Sequence, residues 1–156
     1  MSQQELQVVV FTLFIEEDQI EFGVPIESVQ EINRLLAITK IPEAPEFVEG
    51  IVNLRGNIIP IIDLKKRFFI TESAQTEQSR IIVCDLEGTY IGIIVDAVSE
   101  VLKLPADSIE NTNDVISSIS SDYIAGISKI GDRLIVLLEL ENVFSKLEKS
   151  ELIEVS

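Results

Sequence analysis

Residues 47–64 read FVEGIVNLRGNIIPIIDL. Two apolar runs, 51–54 and 58–64, flank a short polar break, and Ile, Val and Leu dominate both. Stiff β-branched side chains suit a pleated surface, and so short a break between two such runs signals a hairpin. The turn is placed at Gly56-Asn57, because Gly56 takes positive φ without a Cβ penalty. Arg55 is the only charge between Glu49 and Asp63 and sits at that turn. Its guanidinium offers five donors in a fixed fork and resists burial. A solvated turn arginine is the plainer reading; a contact residue is the sharper one.

Upstream, residues 7–15, QVVVFTLFI, form a strand, Glu16-Glu17-Asp18 a charged turn, and residues 19–24 the returning strand, which Pro25 ends. Residues 27–30 are expected to make one helical turn before a strand to about Leu36. Pro45 suits a first helical position and Gly50 a C′ position, so a short helical turn is expected between them. Beyond the hairpin lies the basic cluster Lys65-Lys66-Arg67, and residues 71–79 read as an exposed loop. Residues 142–149 read as a short helix with Val143, Phe144 and Leu147 on one face.

The pattern then repeats. Setting Gly23 over Gly92 (92 − 23 = 69) brings Val29 onto Val98, Glu31 onto Glu100 and Ile32 onto Val101. Setting Gly50 over Gly126 (126 − 50 = 76) brings Phe47 onto Tyr123, Ile58 onto Leu134 and Leu64 onto Leu140. Two copies of one small β unit follow, each of about five short strands. Closing such a sheet removes its open edges, so each is expected to form a small barrel, with the two packed around a shared core and groove. Val29, Ile32, Val98 and Val101 either pack in that core or line the seam as an apolar groove rimmed by Glu31, Glu100 and Arg55. The turns differ between copies. Asn53-Leu54-Arg55-Gly56 faces Lys129-Ile130-Gly131-Asp132, which favours Arg55 as a contact residue.

Composition narrows the function. Lys and Arg number 12 against 27 Asp and Glu, a net charge of −15 that would repel nucleic acid and anionic membrane surfaces. Hydrophobic residues make up 46% of the 156, enough for a core. The amino-terminal MSQQELQ has no basic region or apolar core of a secretory signal, and no apolar run approaches the ~20 residues of a membrane span. Cys84, the only cysteine, sits in the run Ile81-Ile82-Val83 and reads as a small buried hydrophobe, which fits a cytosolic compartment.

There is no histidine, so Ser-His-Asp and Cys-His arrangements are impossible. Zinc spacings, phosphate-binding glycine loops and twelve-residue calcium loops are also missing. A carboxylate-pair hydrolase has no specific support. No cofactor and no metal are expected, which leaves recognition.

The run Gly50, Asn53, Leu54, Arg55, Gly56, Ile58, Pro60, Ile61, Asp63, Leu64 resembles the central motif of CheW-type chemotaxis coupling proteins. EFGVPIESVQEI (21–32), YIGIIVDAVSEVLKL (90–104) and YIAGISKIGDRLIVLLELENVF (123–144) resemble the same family. The resemblance implies a mainly β fold of two five-stranded SH3-like barrels side by side, segments of one copy completing the other, and a short carboxy-terminal helix. It implies one CheW-like domain over 1–156, with barrel subdomains at 14–78 and 79–147 and the strand 7–13 shared. It further implies a non-catalytic adaptor, cytoplasmic and recruited to membrane-bound receptor arrays. Its partners would be the cytoplasmic tip of methyl-accepting chemoreceptors and the regulatory domain of the histidine kinase CheA. Val29, Glu31, Ile32, Arg55, Gly56, Val98 and Val101 carry over as receptor-binding residues, and Asn57 and Ile58 as kinase-binding residues. Asn57 stands where the family more often has a small apolar residue. The same domain would also suit an adaptor of a non-flagellar chemosensory route; an orphan small-barrel ligand-binding protein is the reading from another class.

Overall fold

Strands β1 (Glu5–Ile15) and β2 (Asp18–Pro25) form the first antiparallel hairpin. A 3-10 turn at Ile26–Ser28 leads into β3 (Val29–Arg34). The second hairpin pairs β4 (Val48–Leu54) with β5 (Asn57–Asp63) and runs into the helix α1 (Leu64–Phe69). The second copy supplies β6 (Arg80–Leu86), β7 (Thr89–Val95), β8 (Ala97–Pro105), β9 (Ile109–Glu110), β10 (Ile124–Ile130), β11 (Arg133–Leu138) and the helix α2 (Leu140–Val143). This computed structural model describes residues 5–15, 17–69, 75–110 and 123–143.

The fold is mainly β, as expected, in two SH3-like sheets; among the described residues no ladder joins the end strands of either sheet, so neither closes into the edge-free barrel expected. One has six strands rather than five, in the order β8-β1-β2-β11-β10-β9; the other has five, β3-β6-β7-β5-β4. The sixth strand is the two-residue β9. Each sheet takes strands from both copies, so a cut at 78/79 separates neither sheet from the other. β1 and β2 belong with β8 to β11, and β3 to β5 with β6 and β7. The exchange is more extensive than one shared strand. Its physical cause is the pairing of each copy's third strand outside its own hairpin: β3 lies on β6, and β8 on β1.

Strand alternation sorts the apolar residues into three clusters. Val8, Val10, Leu104, Ile135 and Leu137 fill the interior of the six-stranded sheet. Val52, Ile59, Ile61, Ile81, Val83 and Ile94 fill that of the five-stranded sheet. The opposite faces share one central core, including Phe11, Phe22, Phe68, Ile82, Ile93 and Val136. Gly23 and Gly92, which set the first repeat offset, both stand on the inner faces of their sheets. A Cβ on Gly92 would lie 2.6 Å from Ile61 Cδ1 and 3.0 Å from Ile81 Cγ2; one on Gly23 would lie 3.1 Å from Leu137 Cδ2. Both isoleucines are fully buried, so Gly92→Ala is expected to overpack the interior of the five-stranded sheet and cost about 1–3 kcal/mol, read by urea unfolding.

Two local expectations change. The hairpin turn is Arg55-Gly56, not Gly56-Asn57: Asn57 already pairs with Leu54. Arg55 (φ 53°) and Gly56 (φ 85°) are both left-handed, which a two-residue hairpin turn requires to match strand twist. Asn53 Oδ1 accepts the Gly56 N–H at 3.0 Å and fixes the turn. The segment from Pro45 makes a single turn, Val48 N–H to Pro45 C=O at 2.9 Å, and no helix; Gly50 lies inside β4. The helical turn expected at 27–30 is the 3-10 turn one residue earlier. α2 begins at Leu140, and the rest of the helix expected at 142–149 lies outside the described residues. α1 was not foreseen; Asp63 Oδ1 starts it by accepting the Lys66 N–H at 3.2 Å.

Candidate functional site

β3 and β8 are edge strands of different sheets. On β3 the register runs Val29 opposite Cys84, then slips so that Glu31 is opposite Val83 and Ile32 opposite Ile82. On β8 the matching slip leaves Val98 opposite Phe11, Glu100 opposite Val10 and Val101 opposite Val9. The bulge adds one residue and resets the alternation. It therefore puts residues three apart on one face. Cys84, Ile82, Phe11 and Val9 all belong to the central core. Val29, Ile32, Val98 and Val101 thus share the face that each sheet turns toward the other. Val29 and Val98 pack against the central core. Ile32 and Val101 are left 40% and 50% exposed, an apolar strip that the core does not cover.

The charged rim expected from Glu31 and Glu100 is not on this face. Both glutamates stand opposite interior residues, Val83 and Val10. Glu31 instead forms an ion pair with Arg55 and accepts from Asn33 Nδ2 at 2.8 Å. The pair ties β3 to the β4–β5 turn, that is, the two edges of the five-stranded sheet. Copy two has an equivalent that the turn alignment did not show. Arg133, two places from the position matching Arg55, donates to both Glu21 oxygens (3.1 and 2.7 Å) and to Glu100 (3.1 Å). These hydrogen bonds, Glu21 first, raise the Arg133 pKa above its ordinary value. Arg55 is therefore one of two arginine clasps rather than a feature of one copy. Its side chain is 71% exposed, so it remains available for contact. Gly56, Asn57 and Ile58 are exposed at the same end, Ile58 at 46%, the same exposure as its repeat mate Leu134.

Two cations outside the predicted site turn inward, Lys65 fully and Arg67 half-buried. Lys65 and Asp96 form an ion pair at 3.1 Å with both side chains about nine-tenths buried. Asp96 Oδ2 accepts the Phe14 N–H at 2.7 Å, and Lys65 Nζ donates to the Phe14 carbonyl at 3.1 Å. Arg67 lies over the rings of Phe47 and Tyr123, 5.0 and 5.4 Å from their centroids, and donates to the Val143 carbonyl at 3.2 and 3.0 Å. Phe47 and Tyr123 are repeat mates, so Arg67 sits where the two copies meet. A lysine and an arginine from the "basic cluster" thus turn inward as structural cations.

Among the described residues no cluster of three or more His, Cys, Asp or Glu side chains could hold a metal. No described helix is long and apolar enough to cross a membrane. Burial pushes the Cys84 thiol up to about 12, far from a reactive thiolate.

Two interlocked β sheets with an apolar strip along their shared face define a protein-recognition module. The family model described as "CheW-like domain" matches residues 7–148. The chemotaxis protein CheW of Klebsiella aerogenes is 34% identical over 142 residues, which cover 91% of this chain and 83% of that protein. The chemotaxis protein CheW of Treponema pallidum is 32% identical, over 97% of this chain and 89% of its own length. The crystal structure of the scaffolding protein TtCheW from Thermoanaerobacter tengcongensis superimposes with a TM-score of 0.80 at 41% identity, over 92% of this chain and 90% of that one. The chain belongs to the CheW family, and its role is that of a chemotaxis adaptor.

Proposed function

We propose that this adaptor joins the cytoplasmic tip of a methyl-accepting chemoreceptor to the regulatory domain of the histidine kinase CheA, and catalyses nothing itself. The observation that carries the reading is the apolar strip of Val29, Ile32, Val98 and Val101 on one face of two edge strands. A receptor tip is a helical hairpin, and an amphipathic helix lays its apolar stripe on such a strip. Glu31, Arg55 and Gly56 complete the receptor side by holding β3 against the β4–β5 hairpin. Asn57 and Ile58, on the same hairpin, offer the kinase an exposed apolar contact. The five-stranded sheet carries part of the receptor side, Val29, Ile32 and Arg55, together with Asn57 and Ile58, which supports a coupling free energy between the two partners. The protein would work in the cytoplasm, held at receptor arrays by its partners.

Calorimetry of the protein with its cognate CheA tests the kinase side; micromolar binding, about −8 kcal/mol, is expected, and no heat with any kinase of the same cell would remove this function. For the receptor side, Arg55→Ala is expected to change stability by no more than about 0.5 kcal/mol. Arg55 is exposed, and alanine meets the same left-handed φ. Receptor-dependent kinase activation should fall by about 1 kcal/mol of coupling or more. Full activation by folded Arg55→Ala would take Arg55 out of the interface.

A further inference from the structure

β3 and β8 carry the same order of side chains on their shared face: Val29, Ile32, Arg34 on one, and Val98, Val101, Lys103 on the other. Register places the cations there. Arg34 stands opposite Arg80, which in turn stands opposite Val95 of the central core. Lys103 stands opposite Gln7, two residues from the core residue Val9. Like charges directly opposite on paired strands repel. The chain has 27 carboxylates for 12 Lys and Arg, yet no ion pair within the described residues involves Arg34, Arg80 or Lys103. The Arg80 guanidinium is instead fixed by the Glu77 and Ser79 carbonyls, each 2.8 Å from Nη1, which leaves its other N–H groups free to donate outward. Arg34 and Arg80 line an open cavity of about 530 Å³ with Thr76, Glu77 and Ser79.

We infer that these three cations select the helix that occupies the apolar strip, by receiving a carboxylate from it just beyond each apolar anchor. The inference rests on the helix-docking reading above and deepens it. Spacing fixes where the carboxylate belongs. Ile32 to Arg34 is two strand residues, about 6.7 Å, and four helical residues rise about 6 Å. A helix lying along β3 therefore needs Asp or Glu one turn from the residue that packs on Ile32, on the same helix face. Guanidinium forks suit that carboxylate. A protein of net charge −15 repels an acidic helix overall, so a local group of cations is what would let one dock.

The test is binding of the intact protein to a chemoreceptor signalling fragment carrying the hairpin tip, at low and high salt. The variants are Arg34→Gln with Lys103→Gln, the same pair with Arg80→Gln added, and Ile32→Ser as the control for the strip. Arg34 and Lys103 are exposed, so the double variant folds irrespective of Arg80's carbonyl bonds. At low salt the double variant should bind roughly tenfold more weakly. Its affinity should also depend less on salt than the wild type's. Wild-type affinity and salt dependence in the double variant, with binding still lost in Ile32→Ser, would overturn the cation role and leave the docking strip standing. Binding unaffected by Ile32→Ser, or no binding by the wild type, would overturn both.

Discussion

Gly50→Ala is expected to destabilise the fold by about 3 kcal/mol or more, with Tm lower by roughly 6–12 °C. Gly50 sits at the β4 bulge, between the register positions of Val48 and Ile51. A Cβ there would overlap the Thr39 carbonyl oxygen and come within 2.8 Å of Ile38 Cγ2. The carbonyl is not free to move, because Thr39 and Ile51 exchange two backbone hydrogen bonds of 2.9 Å. Gly50 also has φ 149°. Gly56→Ala separates the two causes. Gly56 has positive φ as well, but a Cβ there meets nothing within 4 Å. It should cost only the backbone term, about 1–2 kcal/mol. Equal losses in urea unfolding of the two variants would show that close approach to Thr39 is not what requires glycine at position 50.

Asp96→Ala is expected to cost about 3–5 kcal/mol, because it strands the buried Lys65 ammonium without its counter-charge. Backbone accounting explains why the pair is there. The β1–β8 ladder ends at Thr12 and Ala97, while β1 continues to Ile15. Asp96 and Lys65 take the place of the missing strand by binding the Phe14 N–H and C=O. Lys65 comes from α1 and Asp96 from the junction between β7 and β8, so one ion pair joins parts of both sheets. Lys65→Met should cost a similar amount by stranding Asp96. Combining Lys65→Met with Asp96→Asn should recover more than half of the losses that Lys65→Met and Asp96→Asn show singly, since two neutral groups need no mutual compensation. Additive losses in a double-mutant cycle would contradict a coupled buried pair.

Much of the fold was legible because the repeat is written in residues that packing constrains. Gly23 and Gly92 match because a Cβ at either would crowd its sheet's interior, 3.1 Å from Leu137 Cδ2 and 2.6 Å from Ile61 Cδ1. Gly50 and Gly126 match because each lies at the same bulge in a β hairpin. Val29, Ile32, Val98 and Val101 could be chosen by that offset alone. What could not be read was which way Glu31 and Glu100 point, since one bulge residue reverses the face and leaves no mark in an i, i+2 pattern. The apolar strip consequently has cations beside it rather than the expected glutamates. The helix at α1 was hidden because Lys65-Lys66-Arg67 reads only as a small basic cluster. Lys65 and Arg67 turn inward, to partners more than 30 residues away in sequence. The exchange of strands between copies was hidden for a related reason: hydrophobic periodicity reports a strand's faces and is silent about its neighbours.

The interlocking of the two copies also governs how the chain emerges from the ribosome. β2 ends at Pro25, and its neighbour β11 ends at Leu138, 138 − 25 = 113 residues later. At a synthesis rate of about 5–20 residues per second, that edge stays unpaired for roughly 6–23 s. Phe11, Phe22 and the valines of β1 wait with it, because the core they enter is not complete until Val136 and Leu138 arrive. The nascent amino-terminal half is thus expected to expose apolar core residues until the second copy is made. Its charged break at Glu17-Asp18 is the kind of device that opposes pairing with other chains in that interval.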